Sequence, residues 1–280
     1  MRTSISGDSE YWLVKGYEHP PGKVVAVPYR RRGRRLDPRS FHTPGSLEWT
    51  LTRLPCTGWP APAIDVHRVL PVNPRLALQV RWREIPTPVK MLLRELNPDW
   101  AGLTGSWAVF QESSRSDVDI LVYIPQEEVP EAIRAIARSG LVRPCSKPRS
   151  EHPVRGVVRR VLDSCITFGG EMSSYTLRLL RSLDARECTT SSEAIGVYEG
   201  LVEVRPLSPH DPYLVPARYA GVMRGEEIVI ESWRTSYQEL PPGLYRARLR
   251  LSVDVRSGTI VGQPDIGGYM KAVGVGVALA

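Results

Sequence analysis

The chain has 280 residues, 42% hydrophobic and 24% charged, a globular balance that excludes a largely disordered or fibrous protein and leaves room for about two domains. No apolar run approaches the roughly 18 residues that span a bilayer, and the opening MRTSISGDSEYW lacks the apolar block of a secretory leader, so a cytoplasmic protein with no membrane partner is expected. The formal charge is +7, and only five of the 37 cations are lysine. That arginine excess favours flat polyanionic partners such as phosphates, and with just two asparagines and 25 prolines the composition fits a thermophile.

Residues 1–86 read as strands and loops. The apolar run VVAV at 24–27 lies between a Pro-Pro-Gly turn and a cluster of arginines, and further strands are expected over 63–70 and 76–83. Arg30, Arg31, Arg32, Arg34 and Arg35 are the densest basic cluster, with Trp12 and Tyr29 near it. Such a run holds an RNA or DNA backbone while the rings stack bases, or is simply a solvated loop.

The texture changes at 87. Pro88 opens a helix over 88–96, with Val89, Leu92, Leu93 and Leu96 on one face. QEEVPEAIRAIARS at 126–139 reads as an amphipathic helix ending at Gly140, residues 154–168 as a strand or strand pair, and EMSSYTLRLLRSLD at 171–184 as another helix. Alternating helices and strands imply an α/β core over 87–195. From 196 to 280 the chain is β-rich again: VYEGLVEVRPL, EEIVIESW and GLYRARLRLSVDV each alternate, and this C-terminal domain can pack with the β-rich segment 1–86. The polar and aromatic mixture at 231–237 suits a binding groove or a β core.

Cys56, Cys145, Cys165 and Cys188 show no CxxC spacing, and the five histidines no helical ligand spacing. Neither a zinc site nor a disulfide framework is therefore expected.

The chemistry concentrates in GSWAVFQESSRSDVDILV. On a strand, Asp117 and Asp119 project from one face, about 7 Å apart, and repel unless a divalent cation sits between them. Carboxylates, water and phosphates are the ligands magnesium prefers. Upstream, Gly105 lets the backbone approach a phosphate and the Ser106 hydroxyl can bond to one.

This Gly-Ser, a spacer of about ten residues, and Asp-hydrophobic-Asp-hydrophobic resembles the motif of the polymerase-beta-like nucleotidyltransferase superfamily, over roughly residues 88–170. The segment SEHPVRGVVRRVLDSCITF is similar to a stretch in archaeal CCA-adding enzymes. The resemblance implies an α+β or α/β fold whose central mixed sheet with helices is of nucleotidyltransferase type, flanked by β-rich segments. It implies a third carboxylate, with Asp163 the first choice and Glu203 the competitor, and a site for Mg2+ or Mn2+ formed by Asp117, Asp119 and Asp163. Gly105 and Ser106 then hold the phosphates of an NTP, and Arg115 either contacts phosphate or is a solvated loop residue. The implied activity moves a nucleoside monophosphate from an NTP to an acceptor hydroxyl, such as an RNA 3′ end. A non-catalytic nucleic-acid-binding protein on a degenerate fold of this type is the alternative.

Overall fold

The computed structural model describes residues 2–5, 8–31, 34–36, 51–56, 58–110, 112–113, 116–145, 153–154, 160–184, 186–188, 191–265 and 267–275. The chain begins with β1 (Arg2–Ile5), β2 (Asp8–Val14), the short β3 (Glu18–His19), β4 (Lys23–Arg31), β5 (Arg34–Arg35), β6 (Leu51–Arg53) and β7 (Pro60–Asp65). They form an antiparallel sheet in the order β1-β2-β4-β7-β6, with β5 folded back onto β4. Central β4 buries neighbours Val24, Val25 and Ala26 together, so both its faces are covered.

Next come α1 (Pro74–Arg81), α2 (Thr87–Leu96), β8 (Trp100–Thr104), the single turn α3 (Gly105–Ala108), β9 (Val118–Tyr123), α4 (Val129–Arg138), β10 (Val142–Arg143), β11 (Asp163–Phe168) and β12 (Glu171–Leu180). The strands run in the order β10-β11-β12-β9-β8, with β12 and β9 parallel and the other neighbours antiparallel. Val118, Ile120 and Val122 of β9 and Tyr175, Leu177 and Leu179 of β12 share one core with α2 and α4.

Two local expectations are corrected in this region. The strand expected at 76–83 is helix α1, because Asn73 caps it by accepting from the backbone N–H groups of Arg75 and Leu76, and Pro74 pre-sets its first turn. The helix expected at 171–184 is strand β12 through Leu180. Gly169 and Gly170, at φ 58° and 85°, supply the two left-handed residues of a tight hairpin from β11. Tyr175, Leu177 and Leu179 are then buried at a period of two, while Met172 is left 62% exposed.

The last third contains β13 (Arg186–Glu187), β14 (Ser192–Pro206), β15 (Leu214–Val215), β16 (Ala217–Met223), β17 (Glu226–Ser232), β18 (Gly243–Asp254), β19 (Ile260–Gln263) and β20 (Tyr269–Val275). β13 pairs with β3 and β15 with β12, tying this part to the two earlier sheets. The order β14-β16-β17-β19-β18 closes on itself through β18 and β14, with β17 and β19 parallel and β20 added outside β18. That is the order of a small OB-type barrel. Its interior is Val202, Val204, Tyr219, Ile230, Tyr245 and Leu249.

The expected fold class, an α+β or α/β protein built on a nucleotidyltransferase-type sheet, is therefore corrected. The protein is mostly β, with 48% strand against 17% helix, four α-helices among the described residues and a closed five-stranded barrel. The alternation in 196–280 carries a second complete β architecture, and the supposed helix at 171–184 is sheet.

The cysteines also depart from expectation, since Cys56 pairs with Cys188 and Cys145 with Cys165. Partners 132 residues apart are joined by tertiary contact, which spacing does not encode. Disulfides belong to oxidising compartments or to the interior of hyperthermophiles. No helix among the described residues is long and apolar enough to cross a membrane. The 132-residue separation closed by Cys56–Cys188 corresponds to about 4–5 kcal/mol of chain entropy. Replacing both cysteines by serine is expected to cost about 3–5 kcal/mol in denaturant unfolding, and an unchanged midpoint would show that the bridge contributes nothing.

Candidate active site

Strand β9 alternates: Val118, Ile120 and Val122 enter the core on the helix side, so Asp119 and Leu121 face the other way. The register places Thr104, Asp119, Thr176 and Asp163 side by side on β8, β9, β12 and β11. Cross-strand partners share a face, so these four side chains form a polar row. Asp117, two residues before Asp119, joins it, and the Thr176 Oγ1 hydroxyl donates to Asp117 Oδ2 at 3.0 Å.

Gly105 begins α3 directly after β8, at φ 66°. A Cβ on it would lie 2.2 Å from Asp119 Oδ2, so the absence of a side chain permits the carboxylate to sit there. Ser106 follows, 4% exposed. The connection back to Asp117 is anchored by Arg81 of α1, itself 2% exposed. Its guanidinium pairs with Glu112 and Glu84 and lies over the Trp107 and Phe110 rings at 5.1 and 4.6 Å. Hydrogen bonding to Arg81 holds the Glu112 carboxyl below its usual pKa.

The row borders an open cavity of about 1350 Å3 lined by residues of the N-terminal sheet, the central sheet and the barrel. It exceeds the roughly 300–1,000 Å3 of common small-molecule pockets. Gly105, Ser106, Asp117, Asp119 and Asp163 all line it.

Asp163 is nevertheless apart from the other two acids. Thr176 stands between it and Asp119, which at the usual strand spacing separates their backbones by about 10 Å. Its carboxylate is 3.3 Å from the Arg160 guanidinium. Arg160 also lies 3.6 Å from Glu239, which accepts from the backbone N–H groups of Val161 and Leu162 at 2.7 and 3.0 Å. Asp163 thus belongs to a network joining β11 to the segment between β17 and β18. Glu203 is exposed on β14, opposite Leu244 and Val222, and does not line the cavity.

The arginine cluster divides. Arg30 and Arg35 line the cavity and lie over the Tyr29 ring at 5.4 and 5.7 Å. Arg31 pairs with Glu10 at the surface, and Arg34 is exposed. Arg32 and Arg115 lie outside the described residues. Trp12 and Tyr29 are buried in the cavity wall. From 231–237, Glu231, Trp233 and Arg234 line the cavity while Tyr237 enters the barrel core.

Three cavity residues had no signal in the sequence: Lys15, Arg178 and Asp265. Lys15 follows β2, and its neighbour Gly16 packs against Trp233, whose ring meets Tyr17 edge-on at 5.8 Å. Burial, then the nearby Arg178 charge, pushes the Lys15 ammonium down to about 8, with Asp265 and Asp119 opposing. Asp265 accepts from Ser232 Oγ at 2.5 Å and from the Trp233 backbone N–H at 2.6 Å, and burial raises its pKa. Each belongs to a different sheet or its flanking loop, so only tertiary structure brings them together.

No family model, curated protein or solved structure matches this chain.

Two outcomes follow from this geometry. Gly105→Ala forces a side chain into a left-handed position against Asp119, and is expected to cost about 2–4 kcal/mol in chemical denaturation. A neutral result would show that the loop and Asp119 are not held together. For Lys15, the folded pKa of about 8 lies below the ordinary 10.5, so between those values the unfolded chain binds more protons. Wild-type stability therefore gains a rising contribution across that interval, and Lys15→Met lacks it. Melting curves from pH 7 to 11 are expected to show the Met variant more stable at neutral pH, with its advantage disappearing above pH 10.

Proposed function

We propose that the protein is a magnesium- or manganese-dependent nucleotidyltransferase that moves a nucleoside monophosphate from an NTP to an acceptor hydroxyl, with an RNA 3′ end as the acceptor. The observation that carries this reading is Asp119 on β9 against the side-chain-free Gly105, with Asp117 just before that strand bonded to Thr176 of the same polar row, both acids at the wall of a large cavity. The resemblance of GSWAVFQESSRSDVDILV to the nucleotidyltransferase motif supports it.

The donor set fits one divalent cation. Two carboxylates project together, and Gly105 lets the Asp119 carboxylate sit against the start of α3, where a Cβ would collide with it. A second ion of the expected kind does not fit equally well. The strand next to Asp119 carries Thr176, and among the described residues no group of three His, Cys, Asp or Glu side chains is arranged for a metal. A bound cation supplies charge neutralisation for the triphosphate and polarisation of the reacting phosphoryl group.

The protein's own groups do the positioning. Thr176 occupies Asp117 Oδ2 and so orients that carboxylate. Gly105 admits the Asp119 carboxylate against the backbone at the start of α3, with the buried Ser106 next in the chain. Arg81 fixes the loop between the two halves of the site through Glu112. A cavity of this size accommodates a nucleotide and the end of an acceptor strand. An approach for that strand exists on the barrel: Arg246, Arg248 and Arg250 share one face of β18, and Arg250 lies 5.0 Å over Trp59, which lines the cavity.

Thr176 in place of an acid beside Asp119 favours one other reading, a non-catalytic nucleic-acid-binding protein. Calorimetry with each of the four NTPs, with and without magnesium or manganese, separates the two. On the transferase reading the wild type binds only with metal, and Asp117→Ala and Asp119→Ala weaken that binding at least tenfold while circular dichroism stays native. Absence of nucleotide binding, together with RNA affinity that falls steeply with salt, would replace it by the second reading.

A further inference from the structure

The cavity wall beyond the carboxylates is cationic in a way that the metal site does not use. Arg178 stands two residues after Thr176 on β12, beside Leu121, and therefore on the same face as the polar row. Its Nε is buried and has no hydrogen-bond partner. Lys15 enters from the N-terminal sheet, close enough to Arg178 for the two charges to interact. Among the described residues its ammonium forms no hydrogen bond or ion pair. Asp265 and Asp119 are the nearby acids that favour its charge, but neither hydrogen-bonds the ammonium, and the Asp265 oxygens already accept from Ser232 and Trp233.

Lys15 and Arg178 are both half-buried, and two like charges held side by side repel more than the nearby Asp265 and Asp119 offset unless a further anion joins them. The missing partner must be anionic, small enough to enter the cavity, and able to reach both cations. An extended polyphosphate meets those conditions, because its charges are spread along a chain. Asp117 and Asp119 mark one end of such a chain, and Arg178 and Lys15 stand farther along the same wall.

We propose that Lys15 and Arg178 form an anion subsite that takes the terminal phosphates of a nucleoside triphosphate, and the pyrophosphate left after transfer. The identity of the anion rests on the nucleotide reading above, while the subsite rests on the two cations. Arginine supplies a planar donor fork and lysine a compact point charge, a pairing suited to successive phosphate groups. The subsite also explains why a lysine is retained in a place where burial opposes its charge, since a bound phosphate restores the partner it lacks.

The test uses inorganic triphosphate in metal-free buffer, measured by calorimetry on wild type, Lys15→Met, Arg178→Met and Lys15→Arg. Wild type is expected to bind. Each Met variant is expected to lose at least tenfold in affinity, and Lys15→Arg to recover most of the loss. Nucleoside monophosphate binding in magnesium should change less than twofold. Thermal melts accompany each titration, and Lys15→Met should melt no lower than wild type at pH 7, so lost binding cannot be lost folding. Asp117→Ala removes a negative charge from the same cavity and should bind metal-free triphosphate no more weakly than wild type, whereas loss of that binding would overturn a subsite separate from the metal-dependent site. Failure of wild type to bind inorganic triphosphate, or Met variants that bind it like wild type, would overturn the subsite. Metal-dependent NTP binding by those same Met variants at wild-type strength would sink the subsite while leaving the transferase reading standing.

Discussion

The parallel pairing of β9 with β12 is the constraint on which the rest of the molecule depends. Its register sets Asp119 beside Thr176 and Val118 beside Tyr175, so the polar residues of the row face one way and Val118, Ile120, Val122, Tyr175, Leu177 and Leu179 the other. A slip of one residue would exchange the faces, exposing Ile120, Val122, Leu177 and Leu179 and driving both acids into the core under α2 and α4. Each of those apolar side chains contributes on the order of 1.5–3 kcal/mol by burial, so core packing fixes the position of the acids far more strongly than their own contacts do. The site is a by-product of the sheet's hydrophobic face.

The polar side carries the opposite balance. Acids and cations from three sheets meet in one cavity, and several are held where burial opposes their charge. Asp265 is offset by two hydrogen bonds; outside the cavity lining, Glu239 is held by two backbone donors and Arg160, and Arg181 pairs with Asp211 at 2.5 Å. Those pairs stabilise the seams between sheets. Among the described residues the Lys15 ammonium has no such hydrogen bond or ion pair, and that contrast distinguishes it from the groups that complete the fold.

The sequence made the strongest local patterns legible. The helices at 88–96 and 126–139, the strands of the last third and the two acids with Gly105 follow from period, turn residues and spacing. Two elements misled for physical reasons. LRLL in β12 satisfies a helical and an extended period at once, and only the Gly-Gly turn before it chooses between them. LALQV in α1 alternates like a strand, and only Asn73 and Pro74 reveal a helix start. Closure of the barrel was not legible, because β14 meets both β16 and β18 by pairings 13 to 62 residues apart, and those to β18 lie beyond any local window. For the same reason the cysteine partners and the cationic wall were hidden: each depends on residues distant in sequence becoming neighbours.

The three β units cannot be treated as separate modules with separate tasks. The central sheet supplies Asp117, Asp119, Thr176 and Arg178 but leaves that face uncovered. The N-terminal sheet closes it with Trp12, Tyr29 and the Lys15 loop, and the barrel closes it with Trp233 and Asp265. Trp233 packs on Gly16 and Tyr17, so the barrel and the N-terminal sheet meet directly beside Lys15. The Cys56–Cys188 bridge and the β3–β13 pair tie those same two units together at the cavity rim. Removing either flank would therefore do more than shorten the protein. It would open the polar row to bulk water and screen the charges that face one another across it.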